Sequence, residues 1–186
     1  MNKITFLYLD TEFTGLHQTT SLLSIALVAD SGESFYAEFT DYSKAAISPW
    51  IQDNVLNNFI LQADASPTLK GKHWRLKANS KKIQNALHKF IERFGIIVIW
   101  ADHVAYDWVL FCELFGGALH LPTNIQYMPM DLPTAFYING INPDINRAKF
   151  VGKKAIKKFP KLAIKRHNAL YDAYLLMACV KKILKI

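Results

Sequence analysis

The sequence predicts an α/β fold in which a central, mixed, five-stranded sheet is flanked by helices. Three apolar, strand-like segments come first, and the turn signal Asp30-Ser31-Gly32 separates the second from the third. Segments whose apolar residues recur with helical spacing then alternate with two further strand-like runs. This order is typical of mixed α/β domains. We therefore expect an antiparallel meander of three strands, followed by a part of the sheet whose strands are connected by helices.

The predicted strands share β-branched and aromatic residues. They are about Ile4–Asp10, Leu22–Ala29, Phe35–Phe39, Ile96–Ala101 and Ile125–Met130. The predicted helices share apolar residues three, four and seven positions apart. They lie near Gln52–Gln62, over Ile83–Phe94, after the fourth strand as far as Gly116-Gly117, from Leu132 to Tyr137, and from about Leu170 to the C-terminus.

Two segments show no clear regular structure. One is a loop around Ala65–Asn79, which contains Pro67 and Gly71. The other is Gly140–Arg166, whose apolar residues predict that it partly docks on the core; they are Phe150, Ile156, Phe159 and Ile164. No repeat, linker or low-complexity tract divides the chain, so residues 1–186 are expected to form a single domain.

Two carboxylates follow the apolar run of the first strand. Asp10 and Glu12 come directly after Ile4–Leu9, with one residue between them. Alternate residues of a strand point to the same face and lie about 6.6 Å apart, so the two acids are expected side by side. Burying two acids next to an apolar core is costly unless a cation compensates their charge. A hard divalent metal ion with oxygen ligands is the explanation that this pair favours.

Two further aspartates lie on predicted helices at positions that share the apolar face. Asp107 has helical spacing with Leu110, Phe111 and Leu114, and Asp172 has it with Leu176, Cys179 and Ile183. The alternative is that both aspartates simply start a helix, where the helix dipole favours a negative charge. Their occurrence together with Asp10 and Glu12 favours a common acidic site.

His167 precedes Asp172 by five residues, a spacing that does not place both side chains on one face of a helix. We therefore expect His167 on the loop that leads into the last helix, close to a site anchored by Asp172. A histidine titrates near neutrality and suits removal of a proton from water.

Three motifs carry a family resemblance. They are Asp10-Thr11-Glu12-Phe13-Thr14-Gly15-Leu16, then Tyr106-Asp107, then His167 through Asp172 and Ala173. In this order they resemble the motifs of the DEDDh 3′→5′ exonuclease superfamily, which includes proofreading subunits of DNA polymerases, ribonuclease T and oligoribonuclease. The resemblance implies a ribonuclease H-like fold. One position departs from the pattern, because Asp102 stands where the family commonly has asparagine, and its role is left open.

The resemblance also implies the chemistry of the site. Catalytic roles fall to Asp10, Glu12, Asp107, His167 and Asp172, with His167 as the general base. Two metal ions about 3.5–4 Å apart would activate a water and stabilise the phosphoryl oxygens. Asp10, Glu12 and Asp172 would bind one ion, and Asp10 would bridge to the second. Mg2+ is the expected ion, with Mn2+ as a substitute.

Residues after the first motif are expected to bind the substrate. They are Phe13, Thr14, Gly15 and Leu16, and in similar exonucleases the residue that matches Leu16 wedges against the terminal bases. The alternative is that Phe13 and Leu16 are simply core residues, and for Phe13 the sequence favours both interpretations equally. The resemblance implies single-stranded RNA or DNA 3′ ends as partners, and a homodimer is a further possibility because related enzymes are often dimers.

Composition and the lengths of the apolar runs limit the expected location and membrane association of the protein. No apolar run reaches the roughly 20 residues needed to cross a bilayer, and an N-terminus that opens on a site-bearing strand argues against a cleaved signal peptide. We therefore expect no membrane partner. The chain has two cysteines, Cys112 and Cys179, without a metal-binding or disulfide pattern, which predicts a cytoplasmic protein.

The chain has a net charge of +7, and its excess basic residues crowd the segment before His167. They are Lys149, Lys153, Lys154, Lys157, Lys158, Lys161, Lys165 and Arg166. Such a cluster attracts phosphate backbones, although a solvated charged loop would look the same. Three functions stay open at this point: a metal-dependent 3′→5′ exonuclease with RNA slightly favoured, a DNA proofreading or repair exonuclease, and a non-catalytic nucleic-acid-binding module.

Overall fold

The computed structural model describes residues 4–160 and 166–186 of the chain. Its strands are β1 (Ile4–Phe13), β2 (Leu22–Ala29), β3 (Ser34–Phe39), β4 (His73–Ala78), β5 (Ile96–Ala101) and β6 (Met130–Asp131). Its helices are α1 (Pro49–Asn54), α2 (Ser80–Ile91), α3 (Val104–Leu114), α4 (Leu132–Ile138), α5 (Arg147–Val151), α6 (Lys153–Ile156) and α7 (Ala169–Leu184). Short 3-10 turns lie at Lys44–Ala46, Leu56–Asn58 and Ala118–His120.

The strands form one mixed sheet in the order β4-β3-β2-β1-β5-β6. The pairs β1–β2 and β2–β3 are antiparallel, which is the meander that the sequence predicts. Strand β5 pairs with β1 in parallel, with Tyr8 opposite Trp100, and β6 follows β5 in parallel. The predicted α/β class, with a mixed sheet and flanking helices, is confirmed.

Each face of the sheet is covered by helices. Leu7 and Leu9 of β1 point to the face covered by α2 and α3, where Phe90 and Phe111 are buried. Tyr8, between them, points to the opposite face, which α7 covers. Strand β1 is therefore enclosed on both faces, as its almost continuous apolar sequence requires.

The sheet has six strands and not five. Residues 73–78, which we expected to lie in a loop, form β4 parallel to β3 at the edge of the sheet. Trp74 and Leu76 are buried while Arg75 and Lys77 are half-exposed, so an alternating pattern was present in the sequence. The nearby Pro67 and Gly71 lie before this strand and do not interrupt it.

The fifth predicted strand, Ile125–Met130, is wrong over most of its length. Only Met130 and Asp131 form the ladder of β6, and Ile125 makes a single bridge to Ile97. The side chain of Asn124 instead donates to the carbonyl groups of Ile91 and Phe94 at 3.1 and 3.0 Å, which fixes this segment to the end of α2.

The other predicted helices shift by a few residues, and one predicted loop is partly helical. The helix predicted near Gln52–Gln62 is shorter and earlier, over Pro49–Asn54, because Ser48 caps it and Pro49 occupies its first position. The segment Gly140–Arg166 contains α5 and α6. Its expected docking is present at Phe150, which packs on Phe136 with ring centroids 4.9 Å apart. Ile164 lies outside the described residues.

Within the described part of the chain, no helix combines the length and apolarity that crossing a bilayer requires.

Candidate active site

Three carboxylates from two elements meet beside the C-terminal part of β1. Asp10 and Glu12 extend from β1, and Asp172 extends from the first turn of α7. One oxygen atom from each of the three lies within 4.8 Å of the other two. Because α7 packs on the sheet face to which Tyr8 points, the alternation along β1 turns Asp10 and Glu12 toward it.

The fourth acid, Asp107, is buried in the first turn of α3 and is tied to β1. Its Oδ1 accepts hydrogen bonds from the backbone N–H of Thr11, at 3.1 Å, and from the hydroxyl group of Thr11. Thr11 stands between Asp10 and Glu12, so this bond fixes the local conformation of the strand that presents both acids. The structure thus brings all four predicted acids to one cleft of about 560 Å³.

The acids are held at a high electrostatic cost. Burial, and then repulsion by the other acids, raises the pKa of Asp10 well above its usual value and that of Glu12 to about 8. Burial also raises the pKa of Asp107 and of Asp172 to about 7, although hydrogen bonds from Thr11 and His167 oppose the increase. A protein without a cation in this cleft would therefore carry protons on some of these groups near neutral pH.

This arrangement fits a divalent cation. The donor atoms are carboxylate oxygens, the ligands that Mg2+ and Mn2+ prefer. In residues 4–160 and 166–186 no Lys or Arg side chain forms an ion pair with any of the four acids. A largely buried cluster of like charges, none of which forms such an ion pair, is stabilised by a bound metal ion.

His167 lies on the turn before α7, as predicted, and lines the same cleft. Its backbone has a φ of 58°, in the left-handed region that a non-glycine residue rarely adopts. Its N–H donates to Oδ2 of Asp172 at 2.9 Å. The imidazole ring meets the indole of Trp50 edge-on, with centroids 5.4 Å apart. Burial, and then the positive charge of Arg166, lowers the pKa of His167 below its usual value.

A buried polar network that sequence reasoning missed holds this turn in place. The side chain of Asn168 donates to the hydroxyl group of Tyr36 at 3.1 Å and to the carbonyl group of Asn58 at 2.9 Å. Tyr36 in turn donates to the buried carboxylate of Glu38 at 2.9 Å. Asparagine is common before a helix, so the sequence marks Asn168 as a cap, but nothing local indicates its partners.

The four predicted substrate residues divide into two groups. Phe13 and Leu16 line the cleft: Phe13 stacks on Tyr106 with ring centroids 5.4 Å apart, and Leu16 is 76% exposed. Thr14 and Gly15 build the turn behind them. The hydroxyl group of Thr14 accepts from the N–H of Ser21 at 3.0 Å, and a Cβ atom on Gly15 would lie 2.8 Å from the His17 ring.

Asp102, the position that departs from the family pattern, forms an ion pair. Its carboxylate accepts two hydrogen bonds from Arg147, at 2.7 Å to Nε and 2.8 Å to Nη2. Arg147 also donates to the carbonyl groups of Pro143 and Ile145, at 2.5 and 2.7 Å. The pair therefore fixes residues 144–148, which form one wall of the cleft. Arg147 was not among the predicted site residues, because its partner lies 45 positions away.

The chain is similar to several known proteins. A family model for the Rv2179c-like 3′–5′ exoribonuclease domain matches residues 5–184. Two curated relatives from Mycobacterium tuberculosis strains, both named 3′–5′ exoribonuclease, are 29% identical over 127 residues, which cover 67% of this chain and 70% of each relative. The solved Neurospora crassa Pan2 catalytic unit, with protease and nuclease domains, aligns with 97% of this chain and 27% of its own, at 15% identity and a TM-score of 0.47.

Proposed function

The chain belongs to the Rv2179c-like 3′–5′ exoribonuclease domain family and is a 3′→5′ exonuclease, and we propose that it removes nucleotides from the 3′ ends of single-stranded RNA with divalent metal ions. The enzyme class predicted from the three motifs is thereby confirmed. The observation that carries the proposed metal dependence is the convergence of Asp10, Glu12 and Asp172 within 4.8 Å. The preference for RNA is supported by the names of the M. tuberculosis relatives.

Asp10, Glu12 and Asp172 would hold the metal, with Mg2+ as the expected ion and Mn2+ as a substitute. Two bound ions would lower the pKa of the attacking water and stabilise charge on the phosphoryl and leaving oxygens. Asp107 would act near the metal ions through Oδ2, since Oδ1 accepts two hydrogen bonds from Thr11. Its side chain lines the same cleft as the other three acids.

His167 is the group that accepts the proton of the attacking water. An imidazole whose pKa lies below its usual value is neutral at pH 7, so one ring nitrogen is free to accept a proton. The hydrogen bond from its N–H to Asp172 and the buried hydrogen bonds of the Asn168 side chain fix the backbone at His167. The base is thus positioned relative to Asp172 by the fold itself.

The terminal nucleotide would lie against the wall that Phe13, Leu16 and Tyr106 form. The stacked pair of Phe13 and Tyr106 presents a rigid apolar surface, and an exposed leucine beside it offers an edge for a base. Discrimination of RNA from DNA would require contacts to the 2′-hydroxyl group at this place.

Digestion of 3′-labelled and 5′-labelled RNA and DNA strands of one sequence tests the proposal. With Mg2+ we expect stepwise loss from the 3′ end, faster on RNA, and none in excess chelator. Asp172→Asn should lower kcat at least a hundredfold, whereas Asp64→Asn, a change of the same kind at an exposed loop residue, should not. Full activity in chelator, or in the Asp172→Asn protein, would exclude the proposed centre. Faster turnover of DNA would reject the RNA preference alone.

Three further expectations stay predictions: a single domain over residues 1–186, a homodimer, and a cytoplasmic location.

A further inference from the structure

The chain concentrates its positive charge in one segment. Residues 147–166 contain nine of the 22 Lys and Arg residues and no acid, so the rest of the chain has 13 basic residues against all 15 acids. The net charge of +7 is therefore a property of this segment, because the remainder is slightly acidic. Lys161 and Lys165 lie outside the described residues.

Packing forces the lysines of this segment toward solvent. Phe150 packs on Phe136, and Phe159 packs on Tyr171 and Tyr174 of α7 with ring centroids 5.9 and 5.7 Å away. The opposite side of α5, α6 and the following turn carries five exposed lysines. We call them the basic ridge: Lys149, Lys153, Lys154, Lys157 and Lys158. The basic ridge is thus exposed while the apolar residues of the same segment, Phe150 and Phe159, pack on Phe136 of α4 and on α7.

The charges of the basic ridge are not compensated within the protein. Among the described residues, no acid forms an ion pair with any of the five lysines. Lys153, Lys154, Lys157 and Lys158 lie close together in the sequence, so their like charges repel one another. Arg147 differs, because Asp102 already neutralises its charge. The ridge is therefore a surface on which a polyanion would relieve repulsion.

The segment that carries the ridge starts and ends at the active-site cleft. Arg147 and Ala148 line the cleft at its beginning, and Arg166 and His167 line it at its end. Lys149, the first lysine of the ridge, directly follows Ala148, so an RNA strand that leaves the cleft at this wall would meet the ridge. Helix α2 covers the opposite face of the sheet from α7, so its exposed lysines, which include Lys81, Lys82 and Lys89, lie away from the ridge.

We propose that the basic ridge binds the backbone phosphates of RNA upstream of the 3′-terminal nucleotide and so makes the enzyme favour long strands over dinucleotides. The proposal rests on the proposed RNA exonuclease function. Lysine contacts of this kind are electrostatic and independent of sequence. They act only on a strand long enough to reach beyond the cleft.

The test is a variant with Lys153→Gln, Lys154→Gln, Lys157→Gln and Lys158→Gln. Its matched control carries four changes of the same kind at exposed lysines of α2 and of the loop before β4: Lys70→Gln, Lys81→Gln, Lys82→Gln and Lys89→Gln. Both variants lose the same net charge. Circular dichroism and thermal unfolding establish that both are folded.

Two measurements separate this inference from the exonuclease function. The first is fluorescence anisotropy of a labelled 20-nucleotide RNA in excess chelator, where no chemistry occurs. Each neutralised phosphate of a single strand contributes about −0.7 to the slope of log K against log salt, so the ridge variant should lose about 2 to 3 from that slope. The second is kcat/KM with Mg2+ for a 20-nucleotide strand divided by kcat/KM for a dinucleotide, which should fall at least tenfold.

The control variant should keep the wild-type slope and ratio within twofold. Equal losses in both variants would show that only overall charge matters and would overturn the proposal. Wild-type affinity for RNA in the ridge variant would overturn the proposal as well. If this variant keeps its affinity for RNA but no longer binds vesicles of anionic phospholipid, the ridge is assigned to a membrane surface. If the wild-type protein fails to cleave RNA but binds it through the ridge, the exonuclease proposal fails and the phosphate-binding surface stands.

Discussion

Neutralising one acid of the active site should stabilise the metal-free protein. Asp172→Asn keeps the shape of the side chain, and its amide oxygen can still accept the hydrogen bond from the N–H of His167. It removes a charge from a half-buried side chain that lies within 4.8 Å of Asp10 and Glu12. In a protein without metal, this charge opposes folding, because burial raises the pKa of Asp172 more than the N–H of His167 and the charge of Arg166 lower it.

The magnitude follows from the raised pKa. Burial raises the pKa of Asp172 from 3.8 to about 7, and each unit corresponds to about 1.4 kcal/mol, so ionising this group in the folded protein costs about 4 kcal/mol. The other acids are repelled by the same charge, so the free-energy cost of ionising them falls when that charge is removed. We therefore expect a gain of about 2–4 kcal/mol, or about 5–15 °C in Tm for a protein of this size.

The gain should depend on pH with a definite sign. Below pH 4 Asp172 is protonated in both the folded and the unfolded chain, and its ionisation changes nothing. Between pH 4 and about 7 the folded state binds more protons than the unfolded state, so the stability of the wild-type protein falls as pH rises. The advantage of Asp172→Asn should appear over this interval and become constant above it.

Thermal unfolding in chelator at pH 4, 6 and 8, followed by the same scans with Mg2+, measures these effects. We expect Mg2+ to raise the Tm of the wild-type protein, because an ion that binds only the folded state stabilises it, and to change the variant little. A variant that is less stable than wild type at pH 8 in chelator would refute the reasoning, since it would show that the carboxylate is stabilised without metal.

Two further predictions concern neighbouring groups. Asp102→Asn and Arg147→Met should each destabilise the protein by about 2–4 kcal/mol, because the side chains of this ion pair are only 22% and 13% exposed. A double-mutant cycle by urea unfolding should give a coupling energy above about 1 kcal/mol. Additive effects would exclude this ion pair as the contact that fixes the cleft wall. His167→Ala should lower kcat by a factor of about 10²–10⁴ and remove the change of kcat with pH below neutrality. The affinity for Mg2+ measured by calorimetry should change little. An unchanged pH profile would reject His167 as the base.

The acidic site was predictable because each acid breaks a local rule. Asp10 and Glu12 interrupt a strand that is otherwise apolar, and Asp107 and Asp172 occupy apolar positions of their helices. Such violations need an explanation at each position, and the shared explanation is a cation site. The sequence alone thus indicates which residues belong together, although only the structure shows that they lie beside one cleft.

Partners that are chosen by tertiary packing had no such local signal. Arg147 belongs to a run of basic residues, and nothing near it distinguishes the one arginine that pairs with Asp102 from its exposed neighbours. The bonds of Asn168 to Tyr36 and Asn58 join residues more than 100 positions apart. Strand β4 is different, since the alternation of apolar and polar residues was visible in the sequence. The turn residues before this strand, Pro67 and Gly71, led to its prediction as a loop.

Contacts within the protein position part of the acidic site, and they predict how a metal ion would act there. Thr11 is bonded to Asp107, so the segment that presents Asp10 and Glu12 is held by a neutral donor. Asp172 is held by the N–H of His167. Asp107, Asp172 and the backbone that presents Asp10 and Glu12 are thus held by hydrogen bonds within the protein. We therefore expect a metal ion to relieve the repulsion among the acids and not to fold the site, so its affinity should rise with pH as the acids lose their protons.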